Sequence, residues 1–346
     1  MRNLLLFTCL FLIFHSSFAQ IGGRSAYEFL SLTQSARVAA LGGESNAIWE
    51  DDINLAFHNP ALLTQVSPQS AVINYVNYFS DLNYGYASYA WKSQKKGMFS
   101  AGIQYFNYGE FIAADEKGLI TGDFKAAEYA MHLMYARTLK DSTWFIGATV
   151  KPIYSHLEKY NSLGLATDIG ISYRSPNNLV VSMVIKNLGT QITTYASNYE
   201  YLPLNIQLGV SKKLNYAPIR FSIVLDHLES PILSYDSELT IEQNTDPLTG
   251  EEIQPSTLDQ IADEVMRHVI LGIEFTPFKN FYLRGGYNYR RRQELLIESR
   301  TSTIGFSYGF GIKFSNFYLN YGRSTYHLAG ASDFFTISTN LSSFYK

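Results

Sequence analysis

The chain has 346 residues, of which 46% are hydrophobic, and its formal net charge is −3 at pH 7. A charge this close to zero argues against a nucleic acid as partner, because nucleic-acid-binding surfaces are strongly basic. The length is enough for two soluble domains or for one large barrel. The 26 Tyr and 23 Phe, against only 3 Trp, favour half-buried strand surfaces and the aromatic girdles of barrels.

Residues 1–19 are typical of an export signal. Arg2 provides a positive start, residues 4–14 form an apolar run, and Ser17 and Ala19 are small residues at the positions that determine cleavage. We expect cleavage after Ala19, with an uncleaved anchor as the alternative. The single cysteine, Cys9, lies within this signal, so the mature chain would have no thiol and no disulfide. No later apolar run reaches the roughly 18 residues of a transmembrane helix.

Residues 20–69 lack a clean alternation, and we predict that they form a plug or hatch for the strands that follow. Within this segment, Ser35 would begin a short helix that ends at Gly42 and Gly43. The alternative is an ordinary N-terminal subdomain that lies outside the barrel.

From Ser70 onwards, strand-like segments follow one another to the end of the chain. The pattern is clearest between Thr303 and Phe314, where large apolar residues at even positions alternate with small or polar residues at odd positions. Successive side chains of a strand point to opposite faces, so this segment is a strand with one apolar face. The number of predicted strands is even, as bacterial single-chain barrels require. The fourteen predicted strands cover residues 70–80, 82–92, 97–107, 125–139, 142–155, 164–174, 179–188, 202–213, 217–228, 267–277, 279–290, 300–314, 316–326 and 333–345.

The connections between these segments distinguish a membrane barrel from a soluble sandwich. In chain order they alternate between long and short almost throughout, and Lys279-Asn280 and Ser315-Asn316 are examples of the short ones. Outer-membrane barrels have short periplasmic turns and longer outer loops, whereas a sandwich has no reason to separate its loops in this way. Charged side chains opposite the apolar face would be costly against lipid but natural in a lumen. They are Lys151, Asp168, Arg174, Lys186, Arg220, Asp226, Glu274 and Arg284. The sequence therefore predicts an all-β fold, a transmembrane antiparallel β-barrel over residues 70–346.

Residues 229–266 form the longest predicted outer loop. They include ten acidic residues and neither Lys nor Arg. Ser256 would begin a helical turn that places Leu258, Ile261 and Val265 on one stripe. Loops of this length are usually functional or disordered, so the segment is either a docking surface for a partner or a solvated acidic loop. The candidate partner-binding residues are Glu229, Asp236, Glu242, Glu251, Glu252, Leu258, Asp259, Ile261 and Glu264.

Two short motifs match enzyme signatures but lack the context that the chemistry needs. Residues 305–309 have the G-x-S-x-G spacing of a nucleophile elbow around Ser307, yet the elbow needs a sharp turn and these residues lie within a predicted strand. Residues 93–96 have the S-x-x-K spacing of penicillin-recognising enzymes at Ser93, but the chain has no K-T-G element. The His residues show no metal-ligand spacing, and no phosphate-binding glycine loop precedes a helix. We therefore expect no catalytic residue, no metal and no cofactor.

Three motifs of the N-terminal segment resemble a known family. They are residues 22–30 (GGRSAYEFL), 35–43 (SARVAALGG) and 59–62 (NPAL). This combination resembles the PorQ family of the type IX secretion system of Bacteroidetes, which with the related PorV proteins is similar to the FadL class of fourteen-stranded barrels with an N-terminal hatch. The hatch residues within these motifs are Tyr27, Phe29, Arg37, Asn59 and Pro60.

The resemblance implies a non-enzymatic protein in the lipid of the outer membrane, with partners in the complex that attaches secreted cargo to the cell surface. PorQ-like proteins hold a PorZ-like surface protein beside PorU-like and PorV-like proteins, and no motif for that interface is carried over. By analogy with the FadL class, the alternative is a transporter of hydrophobic small molecules, which would need an apolar pocket beneath the hatch and a lateral opening. A serine enzyme at Ser307 or Ser93 is the third possibility.

Overall fold

The computed structural model describes residues 25–78, 82–93, 97–139, 143–196, 198–234, 256–295, 303–327 and 330–344. The strands are β1 (Ser70–Asn77), β2 (Asn83–Ser93), β3 (Gly97–Ala114), β4 (Ile120–Thr138), β5 (Trp144–Leu157), β6 (Tyr160–Arg174), β7 (Leu179–Thr193), β8 (Asn205–Lys213), β9 (Ile219–Leu225), β10 (Val269–Phe278), β11 (Phe281–Asn288), β12 (Phe306–Phe314), β13 (Phe317–His327) and β14 (Gly330–Asn340). The α-helices are α1 (Ala36–Ala40), α2 (Ile53–His58), α3 (Thr257–Arg267) and α4 (Tyr289–Leu295), and short 3₁₀ helices cover Glu28–Ser31, Pro60–Gln65 and Leu341–Phe344. None of the helices in these residues is long and apolar enough to cross a bilayer.

The described strands form one closed barrel. Each strand pairs antiparallel with its neighbours in the chain, and β1 pairs with β14 to complete the ring. This seam runs from Ser70 opposite Asn340 to Asn77 opposite Asp333 without a register shift. Closure pairs the backbone groups that an open edge would leave unsatisfied in lipid. The predicted fourteen-stranded antiparallel barrel is thus confirmed.

The two ends of the barrel differ in the connections that they carry. One end has tight turns, such as those at residues 279–280 and 315–316, whereas the other has the long connections β7–β8, β9–β10 and β11–β12. Because short turns of outer-membrane barrels face the periplasm, we call these the periplasmic end and the outer end. The largest difference from the predicted strands is at the outer end, where β3 and β4 pair as far as Ala114 opposite Ile120.

The outward face of the strands carries the apolar side chains, as β12 illustrates. Tyr308 and Phe310 are exposed on the outside, whereas Ser307 is buried inside. The prediction that Ile304 continues the outward row is wrong, because Ile304 is 6% exposed against 53% for Phe306. Between them Gly305 has a φ of +86°, a left-handed conformation that redirects the chain just before β12 begins.

A second correction concerns residues 289–290, which were predicted as the end of a strand. They begin helix α4, and β11 ends one residue earlier at Asn288. The Asn288 side-chain oxygen accepts a hydrogen bond from the backbone N–H of Arg291 at 3.0 Å, as an N-capping residue does. The alternation of side chains at the end of β11 does not indicate such a cap. A prediction from alternation alone therefore places the end of the strand too late.

Residues 25–69, which we call the plug segment, lie inside the barrel and include α1 and α2. Near the outer end, the backbone N–H of Ala26 donates to the carbonyl of Tyr201 at 2.8 Å. Near the periplasmic end, the N–H of Gln69 donates to the carbonyl of Ala90 in β2, also at 2.8 Å. The segment therefore passes through the lumen from one end of the barrel to the other before β1 starts.

The plug segment also touches both strands of the β1–β14 seam. The Asn74 side chain of β1 donates to the Asn54 side chain of α2 at 2.7 Å. The backbone N–H of Ala36 in α1 donates to the hydroxyl of Thr336 in β14 at 3.0 Å. The first and the last strand of the ring are thus both fitted to the same buried segment.

Candidate functional site

Helix α1 is seated against glycines of the barrel wall. A side-chain carbon at Gly286 would overlap the backbone of Leu41 and Gly42, so only glycine lets the chain approach so closely. The small, polar face of the Thr303–Phe314 pattern therefore makes room for α1. The wall glycines in contact with α1 and the residues that follow it come from four neighbouring strands and are Gly272, Gly286, Gly309 and Gly322.

Arg37 of α1 is at the centre of a buried ion-pair cluster. Its guanidinium nitrogens lie 2.6 Å from Glu50 and 3.1 Å from Asp52, both in the plug segment. They also lie 2.9 Å from the carboxylate of Glu274 in β10. This cluster, which we call the Arg37 cluster, joins the plug segment to the wall.

Glu274 is in turn held by arginines of the two neighbouring strands. Arg220 of β9 and Arg284 of β11 each lie 2.7 Å from its carboxylate. Arg220 also pairs with Glu50 of the plug segment. The three arginines of the cluster balance its three carboxylates, and such pairing is what allows charges to remain buried.

A second buried cluster lies around Glu44 of the plug segment. The ammonium of Lys186 in β7 donates to its carboxylate at 3.0 Å, and Nδ1 of His58 in α2 lies 2.8 Å from it. In the neighbouring wall, Lys151 of β5 pairs with Asp168 of β6 at 2.7 Å. Glu44 therefore ties the middle of the plug segment to a side of the barrel different from the one that Glu274 holds.

Asn59 and Pro60 pack where the wall again carries glycine. The Asn59 amide nitrogen donates to the hydroxyl of Ser172 in β6 at 2.9 Å, and its oxygen accepts from the N–H of Ala61 at 3.0 Å. The second bond caps the 3₁₀ helix that starts at Pro60. A side-chain carbon at Gly170 would overlap the Asn59 amide. The NPA motif thus both begins a helix and fits it to the wall.

Tyr27 and Phe29 occupy the outer end of the lumen. They are buried in one apolar cluster with Tyr84 of β2 and Phe334 of β14. The Tyr27 hydroxyl lies 2.5 Å from that of Ser162 in β6. With these contacts, every residue that the motifs assigned to the hatch is buried: Tyr27, Phe29, Arg37, Asn59 and Pro60.

The charged residues predicted to face the lumen do so. All are buried except Arg174, which lies near the periplasmic end with its guanidinium 5.5 Å from the ring centre of Trp49. Glu44 and His58 were not predicted as site residues, because no motif or spacing marks them. The acidic run at Glu50 and Asp52 was visible, but its partners are distant in sequence.

A cavity of about 230 Å³ lies between the plug segment and the outer connections. Charged side chains are prominent in its lining, among them Glu44, Asp226 and Arg290. Ligand pockets usually measure roughly 300–1,000 Å³ and are mainly apolar. This cavity is therefore smaller and more charged than the apolar pocket that a transporter of hydrophobic molecules would need.

Beyond β9, His227 connects two acidic side chains at the outer end. Its Nδ1 lies 2.7 Å from Glu229, and its Nε2 lies 3.6 Å from Asp226. Burial opposes protonation, but Asp226 and Glu229 more than offset it and raise the pKa of His227 above its ordinary value. Glu229 also accepts a hydrogen bond from the N–H of Ile206 at 2.7 Å, so it holds the start of the outer loop against β8.

Helix α3 contains four of the described candidate partner-binding residues, and Glu229 is the fifth. It begins where predicted, since the Ser256 hydroxyl accepts from the N–H of Asp259 at 3.2 Å. Leu258, Asp259 and Ile261 are exposed on α3, whereas Glu264 is half-buried. The other predicted residues of the loop, Asp236, Glu242, Glu251 and Glu252, lie outside the described residues.

The serines of the two candidate enzyme motifs, Ser307 and Ser93, both lie in strands. Ser307 is within β12, faces α1, and donates its hydroxyl proton to the carbonyl of Ala40 at 3.3 Å. Ser93 ends β2, and residues 94–96 lie outside the described residues. In the part of the chain that the structure describes, no group of three or more His, Cys, Asp or Glu could hold a metal ion.

No protein-family model and no curated protein matches this sequence, but solved structures do. The toluene transporter TbuX of Ralstonia pickettii aligns over 90% of this chain and 99% of its own, with 11% identity and a TM-score of 0.52. A deltaS2 mutant of the TodX monoaromatic hydrocarbon channel covers 89% of this chain and 97% of its own, with 13% identity and a TM-score of 0.50. This chain shares the barrel fold of these two structures. A FadL homologue of Pseudomonas aeruginosa aligns over 89% of this chain and 98% of its own, with 10% identity and a TM-score of 0.48. At these identities the likeness concerns the outer-membrane barrel fold alone.

Proposed function

We propose that this protein is a permanently closed barrel of the outer membrane that anchors a partner protein at the cell surface. The observation that carries the proposal is the Arg37 cluster, which ties the plug segment to three neighbouring strands through Arg220, Glu274 and Arg284. A plug fixed in this way suits a static scaffold, whose working surface is then its outer connections.

The energy needed to move the plug supports this proposal. Breaking a buried ion pair by removing one partner costs about 3–5 kcal/mol, because the other charge stays buried without compensation. Movement of the plug would separate Arg37 from Glu274 and also Glu44 from Lys186. A ligand that shifts a two-state gate from almost closed to almost open must favour the open state by about 5.5 kcal/mol. A small hydrocarbon has no charge with which to replace either ion pair.

The finer assignment is to the PorQ family, on the resemblance of residues 22–30, 35–43 and 59–62. Under this proposal the signal is removed after Ala19, and the mature protein has no enzymatic activity. It holds a PorZ-like surface protein beside PorU-like and PorV-like proteins in the attachment complex of the type IX secretion system. The buried contacts of Arg37 and Asn59 support a structural role for the motifs, because these side chains fit the plug segment to the wall.

Co-purification from the native envelope in mild detergent tests the anchoring role. We expect a protein of the cell surface to be retained at a near-constant ratio to the barrel, and purified barrel in planar bilayers to conduct no ions. The Arg37→Met variant serves as the matched sample in which the plug is loosened. Retention of no surface protein by the wild-type barrel, or a stable conductance of the wild type, would contradict the proposal.

Transport of hydrophobic small molecules is the second candidate function. The fold likeness to TbuX and to the TodX mutant favours it, since those proteins are described as a toluene transporter and a monoaromatic hydrocarbon channel. Uptake of labelled toluene and of a labelled long-chain fatty acid by proteoliposomes tests it. Uptake by the wild-type protein that exceeds that of protein-free vesicles would support transport and argue against a fixed plug.

A further inference from the structure

The cavity at the outer end has a polar floor and an exposed rim. Asp226 and Asn205 on its floor are buried, whereas Ser31 of the plug segment and Glu294 of α4 are exposed at the rim. The cavity therefore reaches the surface on the outer side of the membrane. Its volume of about 230 Å³ is below the roughly 300 Å³ at which pockets for drug-sized ligands begin, so it suits a small molecule.

Asp226 is held on one side and open on the other. Its Oδ1 atom accepts hydrogen bonds from the amides of Asn205 and Gln207, at 2.9 and 2.8 Å. Its Oδ2 atom lies 3.6 Å from Nε2 of His227 and 3.7 Å from a guanidinium nitrogen of Arg290. Hydrogen bonds between nitrogen and oxygen measure about 2.7–3.2 Å, so neither of these two contacts is one. The Oδ2 atom can therefore accept a hydrogen bond from a molecule in the cavity.

Arg290 has donors available for a molecule in the same place. Its Nε lies 3.8 Å from Glu294, so both of its ion pairs with described residues are longer than hydrogen bonds. A guanidinium has five N–H donors in one plane and binds a carboxylate through two parallel hydrogen bonds. The neighbouring Arg291 also lines the cavity, but it donates to Ser324 and to the carbonyl of Gly42. Of these two arginines, Arg290 is therefore the one that can bind an anionic group.

The charges at the cavity favour a ligand without net charge. His227 pairs with Glu229 at 2.7 Å, and the other acidic and basic side chains are equal in number. They are Glu44, Asp226 and Glu294 on one side, and Lys186, Arg290 and Arg291 on the other. A ligand with one net charge would find no surplus of opposite charge, and a buried charge is costly unless it is paired. A molecule with one ammonium and one carboxylate can pair both of its charges here.

We infer that this cavity binds a free α-amino acid with an apolar side chain. The ligand carboxylate accepts two hydrogen bonds from Arg290, and the ligand ammonium donates to Oδ2 of Asp226. Both groups of an α-amino acid are attached to one carbon, so they lie close together, as do the guanidinium and the carboxylate that bind them. Leu32, Ile270 and Leu295 provide apolar contacts for the ligand side chain. The inference goes beyond the anchoring function and does not depend on it.

Isothermal titration calorimetry with L-leucine tests the inference on the full-length protein in lipid nanodiscs. Two analogues of leucine each lack one charged group: 4-methylpentanoate has no ammonium, and 3-methylbutylamine has no carboxylate. We expect saturable one-to-one binding of leucine and at least about tenfold weaker binding of each analogue, because each loses hydrogen bonds between charged groups. No binding of leucine beyond that of empty nanodiscs, or equal binding of leucine and either analogue, would overturn the inference.

Two matched variants of α4 test the role of Arg290. Arg290→Gln removes the guanidinium that binds the ligand carboxylate. Arg292→Gln is the control, because Arg292 lies outside the lining and donates to the carbonyl of Ile304 at 3.3 Å. We expect the affinity for leucine to fall at least about tenfold in the first variant and to stay at the wild-type level in the second. Equal affinities of Arg290→Gln and the wild type would overturn the inference.

Asp226→Asn tests the ammonium contact separately. The asparagine keeps an oxygen for the amides of Asn205 and Gln207, but it presents an amide N–H₂ group to the ligand in place of a carboxylate oxygen. We expect the affinity for leucine to fall at least about tenfold. Each variant is first shown to be folded by the heat-dependent shift of its mobility in gel electrophoresis. A folded Asp226→Asn barrel that binds leucine as the wild type does would overturn the assignment of Asp226 and with it the inference.

Discussion

Arg37 and Glu274 are 237 positions apart in the chain, and their charged groups lie 2.9 Å apart in the lumen. Because Arg220 and Arg284 hold the same carboxylate, α1 cannot shift without disturbing three strands of the wall. The contact therefore links the position of the plug segment to the stability of the barrel, and it can be tested by changing one side chain.

Arg37→Met removes the cation of the plug segment while preserving much of the side-chain length. We expect the free energy of unfolding to fall by about 3 kcal/mol, because the buried Glu274 and the half-buried Glu50 and Asp52 are left with too few cations. Arg323→Met is the control, since Arg323 pairs with Asp333 at 2.9 Å at a partly exposed position. That change is expected to cost about 1 kcal/mol or less. Urea unfolding in lipid vesicles measures both, and equal losses would contradict the role assigned to Arg37.

Gly286→Ala tests how α1 is seated. The added carbon would overlap the backbone of Leu41 and Gly42, which cannot rotate away, so we expect a loss of about 1–3 kcal/mol from overpacking. The neighbouring Gly285→Ala is the matched control, because its added carbon would lie an ordinary 3.5 Å from Ile273. A barrel that tolerates both changes equally in thermal unfolding would show that α1 does not depend on the glycines of the wall.

The contact of His227 with Glu229 is expected to make the start of the outer loop sensitive to pH. The pKa of His227 is raised, so its stabilising contribution is complete below the ordinary value of about 6.5 and is lost as pH rises through the raised value. Asp226 and Glu229 favour the charged imidazole, whereas burial and Arg290 oppose it. Amide hydrogen exchange of residues 227–234, corrected for intrinsic rates, should therefore show more protection at pH 6 than at pH 9.

The control for this pH dependence is His227→Gln. Glutamine can still donate a hydrogen bond to Glu229 but cannot become charged, so the difference in protection between pH 6 and pH 9 should disappear. Persistence of the same difference in the variant would assign the effect to another group.

Phe310→Arg tests the lipid-facing side of β12. Phe310 is exposed near the middle of the strand, where an arginine against lipid is expected to cost about 2–4 kcal/mol. Phe314→Arg at the periplasmic end of the same strand is the control and should cost about 1 kcal/mol or less. Unfolding in lipid vesicles measures both changes. A smaller loss at Phe310 than at Phe314 would mean that β12 does not cross the membrane as described.

The number and order of the strands could be predicted because alternation depends on local sequence alone. Every strand with one face towards lipid repeats the same two-residue period, whatever its partners are. The errors lie where a single residue changes the backbone direction, as at Gly305 before β12 and at Asn288 before α4. The alternation of apolar and polar side chains does not reveal such a turn, because the residues on both sides of it continue to alternate.

The candidate site was predictable in part. Lys186, Arg220 and Glu274 were predicted to face the lumen from their positions in the strand alternation. Their ion-pair partners in the plug segment were not predicted. Glu44 and Lys186 are 142 positions apart, so no local pattern links them. The outward direction of Leu258 and Ile261 on α3 could not be predicted either, because the period of an amphipathic helix gives its apolar side but not what that side faces.

The contacts of Ala36 with Thr336 and of Asn54 with Asn74 bear on how the protein is made. β1 is synthesised first and β14 last, and the ring can be completed only where these two meet. Because the plug segment forms hydrogen bonds with both strands, its docking and the closure of the ring stabilise each other. A substitution that misplaces Ala36 or Asn54 is therefore expected to weaken the seam at which the newly made cylinder is completed.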